Sequence, residues 1–82
     1  MDSPLSLLSE AIALNRPIIV FSRNNKKLYG HVRAFDRHMN LALENIRELS
    51  STHDKKKGLI YHERYISKMI LRGDSIILFL PI

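Results

Sequence analysis

The spacing of apolar residues changes once along this chain, at Pro17, and that single change limits what it can fold into. Upstream, Leu5, Leu8 and Ile12 recur at i, i+3 and i+7 with Ala11 beside them, which puts one apolar stripe on a helix. Downstream, from Ile18-Ile19-Val20-Phe21 onward, the residues turn β-branched and alternate in polarity, the pattern of half-buried strands. A chain of 82 residues cannot divide its apolar surface between two cores and still offset the entropy of ordering. The reading is therefore one domain over residues 1–82, mainly β, with a helix lying as a lid on an antiparallel sheet.

The helix is predicted over residues 3–14, opened by Ser3-Pro4 and ended near Asn15 because Pro17 disfavours helical geometry at Arg16. Strands are predicted over residues 17–22, 26–35, 40–49, 59–71 and 76–80, with Asn24-Asn25 as the first turn. The second strand carries Leu28, Gly30, Val32 and Ala34 on one face and Tyr29, His31, Arg33 and Phe35 on the other. It would run roughly 30 Å if straight, long for so small a domain. Gly30 sits near its middle, where a glycine weakens a strand unless the chain bends or another backbone comes close, so a strong curve is expected there. In the third strand alternation places Leu41, Leu43 and Asn45 together, opposite Ala42, Glu44 and Ile46. "SSTHDKKKG", Ser50 to Gly58, reads as a polar loop, either a solvated hairpin tip or a non-specific phosphate contact.

The last strand, Ile76-Ile77-Leu78-Phe79-Leu80, is apolar on both faces, and an edge strand of that kind invites pairing. Either it closes a small barrel within the chain, or a sheet edge meets the complementary edge of a neighbouring subunit. A head-to-tail contact repeated in this way closes into a ring, which the small size of the domain favours.

Two polar connections follow long strands: Asp36-Arg37-His38-Met39-Asn40 and Arg72-Gly73-Asp74. In a bent antiparallel sheet both emerge at the same end. A His38 ring and an Arg72 guanidinium could then sandwich a flat heterocycle, with the Asn40 amide offered to its edge and Gly73 letting backbone approach the ligand. That is the chemistry of a single-stranded RNA site. A net charge of +5 agrees with a polyanionic partner.

At these positions the chain resembles the Sm and Sm-like proteins. Gly30, Asp36 and Asn40, followed by Leu43-Glu44-Asn45, are similar to the first motif of that family, and "ISKMILRGDS", Ile66 to Ser75, to the second. The resemblance implies an Sm fold, a helix followed by a strongly bent five-stranded sheet forming a small open barrel. It further implies membership of a hetero-heptameric ring on the uridine-rich site of spliceosomal small nuclear RNAs, in snRNP assembly and pre-mRNA splicing. By the same resemblance His38 stacks, Asn40 reads the base edge, Arg72 stacks from the opposite side, and Gly73, Asp74 and Arg37 complete the RNA-binding set. Asp36 and Gly30 would support the first loop structurally. Neighbours would be Sm D-one and Sm F, paired through the fourth and fifth strands, in the nucleus after assembly in the cytoplasm.

The other classes fit less well. No apolar run reaches the roughly 18 residues of a membrane span, Met1-Asp2-Ser3-Pro4 lacks the charge and apolar centre of a signal peptide, and no cysteine is present. His31, Asp36, His38, His62 and Glu63 match no metal-ligand spacing, so neither a metal nor another cofactor is expected. Nothing pairs a nucleophile with a base, so no enzyme activity is expected. Tyr61 and Tyr65 share one strand face, where cross-strand packing is expected to account for them. A protein-only assembly module, its loops contacting other proteins, is the alternative to RNA binding.

Overall fold

The computed structural model describes residues 3–82; residues 1 and 2, which open the predicted domain, lie outside the described residues. Helix α1 spans Pro4–Ala13, and the Ser3 hydroxyl accepts the Ser6 N–H at 3.2 Å. Its end is fixed by more than Pro17. Asn15 takes a left-handed conformation (φ 52°), Arg16 N–H donates to Ala11 O at 2.9 Å and Asn15 N–H to Ile12 O at 3.1 Å. This is the double bond pattern with which a left-handed residue satisfies the last carbonyls of a helix. Leu8 and Ala11 on the inner face are buried.

Five strands follow: β1 (Pro17–Ser22), β2 (Lys26–Phe35), β3 (Leu41–Asp54), β4 (Gly58–Leu71) and β5 (Ile76–Pro81). They form one antiparallel sheet in the order β4-β3-β2-β1-β5. Hence β4 and β5 are the two edges, and β5 closes onto β1 rather than onto β4. Ile18, Val20, Leu28, Val32, Leu41, Leu43, Ile46 and Leu71 fill the concave face together with Leu8 and Ala11. Burying each large aliphatic chain there contributes about 1.5–3 kcal/mol.

The curve expected at Gly30 has a specific cause. Between Tyr29↔Arg47 and His31↔Glu44 the pairing slips by one residue, so β3 carries one more residue than β2, and Asn45 there has φ 53°. A Cβ on Gly30 would lie 3.1 Å from Ile46 Cγ1 and 3.2 Å from Glu44 O. Gly30 thus makes room for a bulge that bends the neighbouring strand. The bulge also corrects the predicted faces of β3: Asn45 is exposed, and Ile46 joins Leu41 and Leu43 in the core. One extra residue reverses a two-residue alternation, which strict periodicity cannot anticipate.

A second difference concerns Ser50 to Gly58. β3 and β4 continue as a two-stranded ribbon to Asp54↔Gly58, leaving only residues 55–57 as turn. The Asp54 carboxylate accepts the N–H groups of Lys56 (2.7 Å) and Lys57 (3.3 Å), and Gly58 sits at φ 80°. Beyond Lys26↔Ser50 no strand of β2 accompanies the ribbon, so its residues cover no core and show no apolar alternation.

Candidate nucleic-acid interface

The β2–β3 loop is built on Asp36. Its Oδ1 accepts the N–H of His38 at 2.8 Å and of Asn40 at 3.1 Å, and its Oδ2 accepts Asn40 Nδ2 at 2.9 Å. An aspartate that gathers the N–H groups two and four residues ahead holds a tight turn, in which Met39 takes φ 65°. The Asn40 amide first, and then the two N–H groups, keep the Asp36 carboxyl below its ordinary value.

Asn40 joins this loop to the next one. Its Oδ1 accepts the N–H of Gly73 at 2.8 Å, across from the short 3-10 turn Gly73–Ser75. A Cβ on Gly73 would overlap the His38 carbonyl oxygen and stand 3.0 Å from the carbonyl carbons of His38 and Met39. Gly73 therefore lets one loop lie on the other, whereas the sequence reading had it admitting a ligand. The second loop is also tied to β1, because Arg23 Nε donates to Asp74 O at 2.8 Å and Arg23 N–H to Ser75 O at 2.9 Å. The sequence carried no signal for Arg23, which sits in an ordinary turn.

The joined loops border an open depression of about 730 Å³ to which Asp36, His38, Asn40, Arg72 and Asp74 contribute. Phe35, Leu41 and Ile70 form its apolar wall. Ile70 is 72% exposed on an edge strand, a contribution that sequence reasoning missed because the strand pattern offered no reason to single it out. Arg37 is exposed and lies outside this lining, and Gly30 lies at the bulge rather than at the loops. Arg72 pairs with Asp74 at 3.2 Å, but the two side chains are 80% and 69% exposed. A pair so open to water contributes little and can be exchanged for another partner. The Asn40 carboxamide, by contrast, spends one donor on Asp36 and one acceptor position on Gly73, keeping one of each. Among the described residues no group of three His, Asp or Glu could hold a metal ion, and no helix is long and apolar enough to cross a membrane.

A helix on a bent five-stranded sheet, with two loops locked together at one end, is the architecture of the small ring-forming Sm proteins. The Sm protein of Pyrococcus abyssii, solved in complex with a uridine heptamer, superposes with a TM-score of 0.77 at 16% identity, covering 99% of this chain and 100% of that one. The heptameric SmAP1 of P. aerophilum gives 0.75 at 22% identity, over 100% and 96%. The LSM domain model matches residues 9–81, and the chain belongs to that family. Within it, the chain is similar to the small nuclear ribonucleoprotein Sm D2 of Saccharomyces cerevisiae, 49% identical over 94% of this chain and 69% of that protein. It is also 47% identical to the probable Sm D2 of Dictyostelium discoideum, over 96% of this chain and 76% of that protein.

Proposed function

We propose that this chain is one segment of a hetero-heptameric Sm ring that binds the uridine-rich single strand of spliceosomal small nuclear RNAs and supports pre-mRNA splicing. The observation that carries this reading is the Asn40 Oδ1 to Gly73 N–H bond of 2.8 Å, which joins two loops around a single depression. His38 and Arg72 then offer two flat surfaces to one base, and Asn40 offers its remaining donor and acceptor to the base edge. Asp36 and Gly73 act behind them by fixing the loops, while Asp74 releases Arg72 when a base arrives.

The assembly half of the reading rests on the sheet edges. β4 and β5 are unpaired on their outer sides, and Ile70, Ile77, Leu78 and Leu80 stand exposed beside them. Pairing β5 of one subunit with β4 of the next satisfies both edges and repeats head to tail until the ring closes. Sm D-one and Sm F are the neighbours we assign, in a nuclear particle put together in the cytoplasm. The function is binding rather than catalysis.

The test compares oligouridine and oligoadenosine binding to the reconstituted ring. Parent ring should prefer uridine, and His38→Ala or Arg72→Ala should weaken uridine binding by about 5–150-fold, the worth of one stacked base, with assembly intact. Equal binding of the two oligomers would favour the protein-only module.

A further inference from the structure

Packing does not account for the tyrosines of β4. Tyr61 is 78% and Tyr65 73% exposed. Tyr61 lies opposite Ser51, on the ribbon that extends past the end of β2, so nothing large is available to cover its ring. At the foot of the ribbon a depression of about 280 Å³ is lined by Asn25, Lys27, Leu49, Ser51, Tyr61 and His62. It is distinct from the depression at the joined loops: it lies beyond the β3 bulge from Leu41, and the two share no lining residue.

Its chemistry is that of a nucleotide's three faces: an aromatic ring for the base, a carboxamide and hydroxyls for polar edges, and an ammonium for phosphate. Lys27 is already drawn over an aromatic surface, its Nζ 5.7 Å from the centre of the Phe21 ring. The ribbon ends in Lys55, Lys56 and Lys57, and the Asp54 beside them is engaged by the backbone of the turn. Glu63, the nearest carboxylate along that face of β4, is paired with Arg47 at 3.0 Å. Asp54 keeps its charge, but Lys27 and the three lysines of the tip outnumber it, so the net charge is positive and favours a polyanion.

We propose that the foot of the β3–β4 ribbon is a second contact for single-stranded nucleic acid, with one base against Tyr61 and the adjoining phosphates on Lys27 and the lysine tip. This rests on the reading of the ring as an RNA binder and extends it to the strand outside the central opening. Ring closure leaves the surface free: β5 has 6 residues and β4 has 14, so a partner strand seated near Ile70 does not reach Tyr61.

The experiment uses the reconstituted ring with two RNAs, an oligouridine just long enough to fill the opening and the same oligomer with a single-stranded tail. Parent ring should bind the tailed RNA more tightly. Tyr61→Ala and Lys27→Glu should each remove about fivefold or more of that gain while the untailed RNA binds as before, and Tyr61→Phe should keep it. The proposal is overturned if the tail gives no gain in the parent, or if the gain survives Tyr61→Ala. It is equally overturned if polyglutamate displaces the tail as well as a nucleic acid does, since the site would then read charge alone. Loss of untailed binding would instead strike at the ring-opening site.

Discussion

Gly73→Ala is the sharpest test of how the two loops are joined. A methyl group on Gly73 needs roughly 3.5 Å from the His38 carbonyl oxygen, and the space is already filled, so the loops must part by more than about 1 Å. Forced overpacking of this kind costs about 1–3 kcal/mol, and breaking the bond from Gly73 N–H to the half-buried Asn40 Oδ1 adds about 1 kcal/mol. Together these make about 2–4 kcal/mol, and for a domain of this size each kcal/mol lowers the midpoint by about 4–8 °C, so a fall of about 8–30 °C is expected. The assay is thermal unfolding of the chain assembled with its partner subunits, with oligouridine binding measured on the same samples. Gly58→Ala is the control, because it has φ 80° with open space around the added carbon, and should cost only about 1 kcal/mol from backbone strain. A Gly73→Ala protein that melts within a few degrees of the parent and binds RNA equally well would refute the reasoning.

Ile46→Ala empties a fully buried position beside the bulge and should cost about 2–5 kcal/mol, read as a shift in denaturation midpoint at unchanged slope. Asn45→Val places a β-branched residue at φ 53° and should cost about 1–2 kcal/mol, whereas Asn45→Gly should be nearly neutral in the same denaturation experiment. The Asp36 carboxyl is held below its ordinary 3.8 by Asn40 and the loop N–H groups, so it stabilises the loop above that pH and its contribution disappears as pH falls through the lowered value. Amide exchange at His38 and Asn40 should stay protected near neutrality and lose that protection in acid. Asp36→Ala, which removes the acceptor of both N–H groups, should be unprotected at both pH values, and a loop that opens on raising the pH would contradict the assignment.

Much of the fold was legible because local chemistry and global topology agree. Pro17 marks the change of period, Ser3-Pro4 opens the helix, and Gly30 announces a bend that the β3 bulge then supplies. Asn45 was legible only as a member of a motif: periodicity put it with Leu43, and its left-handed backbone turned Ile46 inward instead. The continuation of β3 from Ser50 to Asp54, across residues read as a loop, escaped for the opposite reason, since strands that cover no core leave no apolar trace in sequence. At the site, the meeting of the two loops followed from topology, but the use of Gly73 against His38 and the anchoring by Arg23 depend on distances that no spacing encodes.

The account as a whole requires a uridine base to lie between the two joined loops of this chain. Photocrosslinking of the assembled ring with a 5-iodouridine oligomer that just fills the opening, followed by peptide mapping, addresses this directly. The predicted adducts fall within Asp36–Asn40 or Arg72–Asp74. Adducts confined to other parts of the chain, or to other subunits alone, would contradict it.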